Sequence, residues 1–306
     1  MRYLLTLLAG TAAFLALTAS GTASPSSTST EPTKIDIGTT GGILVSAFGS
    51  IWTTDLGTNR LVRIDPATST VSGKLGLGQR PYGLTAGAGS LWVASQLNQT
   101  LLRVDPTTLK VTKRIAVGFQ AFAAAFGAGS VWVSIEIGGS VVRIDPRTNK
   151  VVARIKGFVD PNGLVYANGA LWVSDRFGDR VVRINPKTNR VTNRIHVPSA
   201  DWITPAAGSL WVSSEQNRVY RLDPATRKVT GSVAVGGNPL ASAPAAGGLW
   251  VPNIDSNNIS VVDPTNLTVT RTITAGHAPL GVLRTTAGIF VSMSDDGQVW
   301  RFDPTG

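Results

Sequence analysis

The stretch SLWVASQLNQTLLRVDPTTLKVTKRIAVG, residues 90–118, decides the fold. Ser90 to Ala94 carries Trp92, Leu101 to Val104 runs into Asp105-Pro106, and Val111 to Val117 stops before Gly118. Together with the run from Tyr82 to Ala86 ahead of them, these are four short segments of alternating Val, Ile, Leu and Trp, separated by Gly, Asn and Pro. That is the chemistry of strands and tight turns. Asp105 before Pro106 predicts a type I turn between the third and fourth strands, with the Asp side chain accepting backbone N–H bonds. No segment has an apolar period of 3.6 long enough for a helix.

The unit recurs along the chain. Asp-Pro begins at Asp65, Asp105, Asp145, Asp223, Asp263 and Asp303, and Asn185-Pro186 fills the remaining gap. A second register agrees: Trp52, Trp92, Trp132, Trp172, Trp211 and Trp250 are followed by Phe290 at the same spacing of about 40 residues. Four strands per repeat, seven times over, predict an all-β, seven-bladed β-propeller of four-stranded antiparallel blades spanning residues 34–306. The seventh Asp-Pro has no fourth strand after it, whereas Lys34-Ile35-Asp36-Ile37-Gly38 has the pattern of Arg114-Ile115-Ala116-Val117-Gly118. The N-terminal strand is therefore expected to complete the last blade and close the ring. The Trp series is expected to fill the wedges between blades. The series Arg63, Arg103, Arg143, Arg183, Arg221 and Arg301, broken at Val261, reads as packing and pairing between blades.

Composition narrows the chemistry. Of 306 residues, 42% are hydrophobic and 15% charged, which suits a large core and not a disordered chain. The absence of Cys removes disulfides, thiolate nucleophiles and zinc–thiolate sites, and His196 and His277 are the only histidines. No nucleotide-binding Gly loop, Ser-His-Asp signature or HExxH spacing occurs. Arg2 precedes an apolar run from Leu4 to about Ala19 that ends in small residues, so residues 1–23 read as a secretory signal peptide and residues 24–33 as a Ser/Thr/Pro-rich linker. The sixteen residues of this run at ~1.5 Å each span ~24 Å, short of a ~30 Å hydrocarbon core. The mature protein is expected to be secreted or periplasmic, monomeric and without a membrane span.

The units GxLWVS, VVRIDP and KVTxxIxVG resemble those of the YVTN-repeat propellers, including the periplasmic YncE type, over about residues 34–306. The resemblance implies a seven-bladed binding protein outside the cytoplasm, in a family associated with single-stranded DNA. Two enzyme groups share weaker likenesses. His277 matches a catalytic His of the magnesium-dependent streptogramin B lyases (virginiamycin B lyases), but Ala275 and Met293 stand where that pattern has Glu, and Asn238 where it has a second His. Asp160-Pro161-Asn162-Gly163, with Asp175 and Asp201, is similar to the calcium-ligand segment of the SMP-30 and gluconolactonase lactonases. Gly41, Gly42 and Phe122 depart from that pattern in earlier blades.

The formal charge of +10 is unevenly spread. The loops joining the fourth strand to the next first strand, and the second to the third, open on one face and hold ten of the 18 acids, including Glu136, Asp160, Asp175, Asp201 and Glu215, with only five bases. The third and fourth strands hold most of the bases. An acidic mouth and a basic rim result. The rim reads as protection of exposed strand edges, or as a weak contact for anionic envelope polymer or nucleic acid. The function expected is binding or interaction, with a protein or small-molecule ligand at the acidic mouth. The alternative is a metal-assisted lyase or lactonase. The ligand-binding residues expected are Asp160, Asn162, Asp175, Asp201, Trp202, Tyr82, Arg80 and Phe122. Asn162, Asp201 and Asp175 are the expected ligands for any calcium or magnesium, unless Arg176 and Arg180 reach inward and neutralise the cluster.

Overall fold

The computed structural model describes residues 31–305; the expected signal peptide and all but the last residues of the linker lie outside them. Seven four-stranded antiparallel sheets follow one another, each ordered as its strands occur in sequence except the seventh. Blade two is representative, with strands at Pro81–Gly87, Ser90–Ser95, Thr100–Asp105 and Lys110–Ala116. In the seventh, Pro279–Thr285, Gly288–Met293 and Gln298–Phe302 are joined by Thr33–Asp36, which pairs with the third strand from Thr33 opposite Arg301 to Asp36 opposite Gln298. Thr33, the last residue of the expected linker, is thus the first residue of the closing strand. Among the described residues no helix is long and apolar enough to cross a membrane.

Strand pleating explains what is buried. All six residues of the second strand in blades two, three and four are buried, because both faces of this strand are covered by neighbouring blades. Trp52, Trp92, Trp132, Trp172, Trp211, Trp250 and Phe290 are all fully buried there. Each indole N–H is satisfied locally, as where Trp132 Nε1 donates to the Gly127 carbonyl at 3.1 Å. Burying such a ring removes ~150–250 Å² of apolar surface and stabilises by at most ~4–6 kcal/mol.

Arg103, Arg143, Arg221 and Arg301 of the Arg series clasp blade to blade, whereas Arg63 and Arg183 bond Ser72 and Thr192 within their own blades. Arg103 lies directly opposite Trp92, with its guanidinium 5.1 Å from the ring centroid, and Arg143 does the same over Trp132 at 5.0 Å. The same guanidiniums reach the following blade: Arg103 Nη1 donates to the Pro146 carbonyl at 2.9 Å, and Arg143 Nη1 to the Pro186 carbonyl at 2.7 Å. Those carbonyls belong to the Asp145-Pro146 and Asn185-Pro186 turns, and turns of this series are fixed by the expected bonds, such as Thr107 N–H to Asp105 Oδ1 at 2.8 Å. Where Val261 breaks the series, Arg271 on the neighbouring strand stands opposite it and covers Trp250 instead, 5.8 Å from the ring. Part of the basic rim has a further role within the ring. Lys74, Arg114 and Arg154 donate to the carbonyls of Ile37, Leu77 and Val117, each at the end of the preceding blade's last strand.

Candidate functional site

The repeat brings three positions per blade to the mouth of the channel. The first is the fourth residue after the buried Trp: Gln96, Glu136, Arg176, Glu215 and Ile254 in blades two to six. The second is the second residue of the first strand or its equivalent: Tyr82, Phe122, Asn162, Asp201 and Leu240. The third lies two residues earlier and contributes Arg80, Gln120 and Asn238. All thirteen line one cavity of about 340 Å³. One backbone bond, repeated in each blade, ties the first position to the third. The N–H of Gln96 donates to the Arg80 carbonyl at 3.1 Å, Glu136 to Gln120 at 3.1 Å, Arg176 to Asp160 at 2.9 Å and Ile254 to Asn238 at 3.1 Å. The scaffold is thus constant while the side chains it presents differ from blade to blade.

Blades two and three form an aromatic wall, with the Tyr82 and Phe122 rings stacked at 4.3 Å between centroids and 26° between planes. Burial, reinforced by the charges of Asp201 and Glu136, pushes the Tyr82 hydroxyl pKa well up. Opposite lie the acids. Arg176 Nε bonds Asp160 Oδ2 at 2.8 Å, and its Nη1 bonds Glu215 Oε1 at 3.2 Å. Burial acts against the Arg176 charge, but the Asp160 bond and the surrounding carboxylates outweigh it and raise its pKa further. Asp201 and Glu136 have no comparable partner among the described residues. Burial raises the Asp201 pKa from 3.8 to about 7, with Arg176 opposing the shift and Glu215 and Asp160 adding to it. Burial and the charge of Asp160 likewise raise Glu136 to about 7.

Asn162 and Asp201, from successive blades, line this cavity together, and Ser174 Oγ donates to the Asp201 carbonyl between their blades. Asn162 is 1% exposed, and its side-chain oxygen is buried without a hydrogen-bond partner. Tyr82, Arg80 and Phe122 are also brought to the cavity, and Asp160 borders it through Arg176.

Asp175 is not brought there. Its Oδ1 accepts from the Val159 and Asp160 amides at 2.9 and 2.7 Å, and its Oδ2 accepts from Arg180 Nε at 2.8 Å. Its carboxylate braces the loop entering blade four, as Asp55 does in blade one by accepting from the Thr39 and Thr40 amides. The expected metal trio of Asn162, Asp201 and Asp175 therefore does not converge. Arg176 and Arg180 do neutralise Asp160 and Asp175, the arrangement named as the competitor to an ion. One carboxylate and one amide fall well short of the six to eight oxygen ligands of a calcium cage. Among the described residues no group of three or more His, Asp or Glu side chains is placed to hold a metal ion.

Trp202, in the strand Ala200–Ala206, is half-buried and packs against two core clusters, one containing Leu84, Leu240 and Leu280 and the other Ala123 and Leu164. The equivalent positions in blades two, three, four and seven hold Gly83, Ala123, Gly163 and Gly281. A Cβ on Gly163 would lie 3.1 Å from the Trp202 Cα, so the small residues make room at the axis. His277 lies outside the cavity, exposed, with Nδ1 2.7 Å from Asp296 Oδ1.

Glu136 and Glu215 stood out in the sequence only as loop acids, and Gln96, Gln120, Leu240 and Ile254 did not stand out at all. The signal that finds Gln96, Glu136, Glu215 and Ile254 is the constant offset of four residues from the repeat Trp, and Gln120 and Leu240 are found by their place at the start of the repeat's first strand.

No protein-family model matches the chain, and no curated protein sequence matches it significantly. Solved structures do match: a streptogramin B lyase superposes with a TM-score of 0.78 at 12% identity, covering 89% of this chain and 98% of the lyase. At that identity the likeness shows the fold, a seven-bladed propeller, and no more.

Proposed function

We propose that the chain is a β-propeller binding protein that holds a small molecule in the cavity at the mouth of its channel. The observation that carries this reading is the pair Asn162 and Asp201. Both are almost fully buried and both line the cavity; the Asn162 side-chain oxygen is buried without a hydrogen-bond partner, and among the described residues no donor bonds the Asp201 carboxylate, whereas Asp160 and Asp175 nearby are held by Arg176 and Arg180. A buried polar group left unpaired costs ~1–3 kcal/mol, which a complementary ligand recovers. The volume lies at the small end of ligand pockets, suited to a compact molecule. A lyase activity like that of the structural neighbour has less support, because His277, the one catalytic match in the sequence, sits on the exposed rim.

The apolar run of residues 4–19 supports a location outside the cytoplasm, and N-terminal sequencing of the mature protein tests it. For the cavity, the test is a fragment screen by thermal shift on wild type and on Asn162→Leu. Fragments that stabilise only the wild type support the reading. A screen yielding none, or hits indifferent to the substitution, overturns it.

A further inference from the structure

Resting on that reading, we propose that the cavity selects a small organic cation, an amine on a flat ring, whose ammonium donates to Asp201 and Asn162 while the ring lies along Tyr82 and Phe122. The polar walls decide the sign of the ligand. Arg176 is already held by Asp160 and Glu215, so its charge is engaged within the protein. The remaining carboxylates, Asp201 and Glu136, line the cavity without a side-chain donor among the described residues, and Asn162 adds a buried amide oxygen with no partner. An ammonium, with N–H donors only, complements these acceptors. The groups facing the site are Glu136, Asp201, Glu215 and Tyr82 with Arg80 and Arg176, and Asp160 behind Arg176. Three carboxylates against two guanidiniums line the cavity, and Asp160 adds a fourth carboxylate.

The body of the ligand follows from the other walls. Tyr82 and Phe122 present stacked aromatic surface, and Leu240 and Ile254 add apolar contact. A ring lying on an aromatic wall with a charge beyond it satisfies both at once. A bare metal ion would leave the aromatic and apolar walls unused, and among the described residues no three acidic or His side chains are placed together to hold one. An anion would have only Arg80 to pair with, and would face Asp201 and Glu136.

Burial holds Asp201 and Glu136 near neutrality at about 7 in the empty cavity, so a bound cation should pull their pKa values down and expel protons. The affinity for a cation should fall by roughly tenfold between pH 8 and pH 6 as the carboxylates take up protons.

Three probes of one shape separate the possibilities: tyramine, the neutral 4-(2-hydroxyethyl)phenol and the anionic 4-hydroxyphenylacetate, titrated by calorimetry in two buffers of different ionisation enthalpy. Expected are tyramine binding with net proton release, at least tenfold weaker binding of the other two, and a loss of tyramine affinity of tenfold or more in Asp201→Asn. Glu136→Gln serves as the second variant and should reduce the proton release. Equal or tighter binding of 4-hydroxyphenylacetate, or tyramine binding unchanged by Asp201→Asn, overturns the cation while leaving the cavity a ligand site. If none of the three binds at about 10 mM but the fragment screen yields cavity ligands, the cation inference falls alone. If the screen is also empty, both fall.

Discussion

Ile35 stands opposite Val299 across an antiparallel pair that joins the two ends of the described chain, and both side chains are buried in one cluster with Ile37, Val62 and Phe290. This pairing is what turns six continuous blades and an incomplete seventh into a ring. Ile35→Ala removes buried methyl groups at the junction and is expected to destabilise the protein by about 2–4 kcal/mol. Lys34→Ala, one residue away on the exposed face, should cost less, about 1 kcal/mol at most, through its cation–π contact with Trp300. Urea denaturation of the two variants checks this; equal midpoints would mean that the closing strand contributes no core.

Trp132→Ala should cost about 3–5 kcal/mol, because the indole is fully buried and the rigid strands around it cannot collapse into the space. The loss should exceed that of Arg143→Lys, which keeps the charge but loses the planar fork that bonds the Pro186 carbonyl and Asn189 Oδ1. Thermal melts of both variants give the order, and a Trp132→Ala melting temperature equal to wild type would contradict the wedge role.

The fold was legible because its repeating residues do structural work at every turn of the ring. Trp52 to Phe290 keep their spacing since each must fill the same wedge, and the one gap in the Arg series, Val261, is filled from the adjacent strand by Arg271. The candidate site was much less legible for the converse reason. Gln96, Glu136, Arg176, Glu215 and Ile254 occupy one structural position, yet they range from amide and carboxylate to guanidinium and alkyl, so repeat-matching passes over them. Asp175 was expected at the cavity because a carboxylate at the end of the strand that follows an Asn-Gly segment has the same appearance in sequence whether it faces a cavity or braces a loop. Its bonds to the Val159 and Asp160 amides decide for the loop.

His277→Ala should leave ligand binding at the cavity unchanged. The Asp296 hydrogen bond and charge raise the His277 pKa above 6.5, so whatever the pair adds to stability is present below pH 6.5 and lost as pH rises through the folded value. At this exposure the change in melting temperature should be slight, and confined to acidic conditions. A binding defect in His277→Ala would revive the lyase-like reading, since it would connect the rim to the cavity.

Asp201→Asn is expected to stabilise the empty protein at neutral and alkaline pH. The sign follows from the direction of the shift. Unfolded, the carboxyl titrates near 3.8; folded, burial moves it to about 7. Between these values the folded state binds more protons than the unfolded state, so stability falls as pH rises through this window and the full penalty stands above it. The difference of about three units corresponds to an upper limit of about 4 kcal/mol. The advantage of Asn should therefore be greatest near pH 8, shrink as pH falls, and vanish near pH 4. Paired urea denaturation curves at pH 5 and pH 8 provide the test. Should Asp201→Asn be less stable than wild type at pH 8, the ionised carboxylate would have to be stabilised within the protein itself, and the case for a cation-seeking cavity would lose its strongest support.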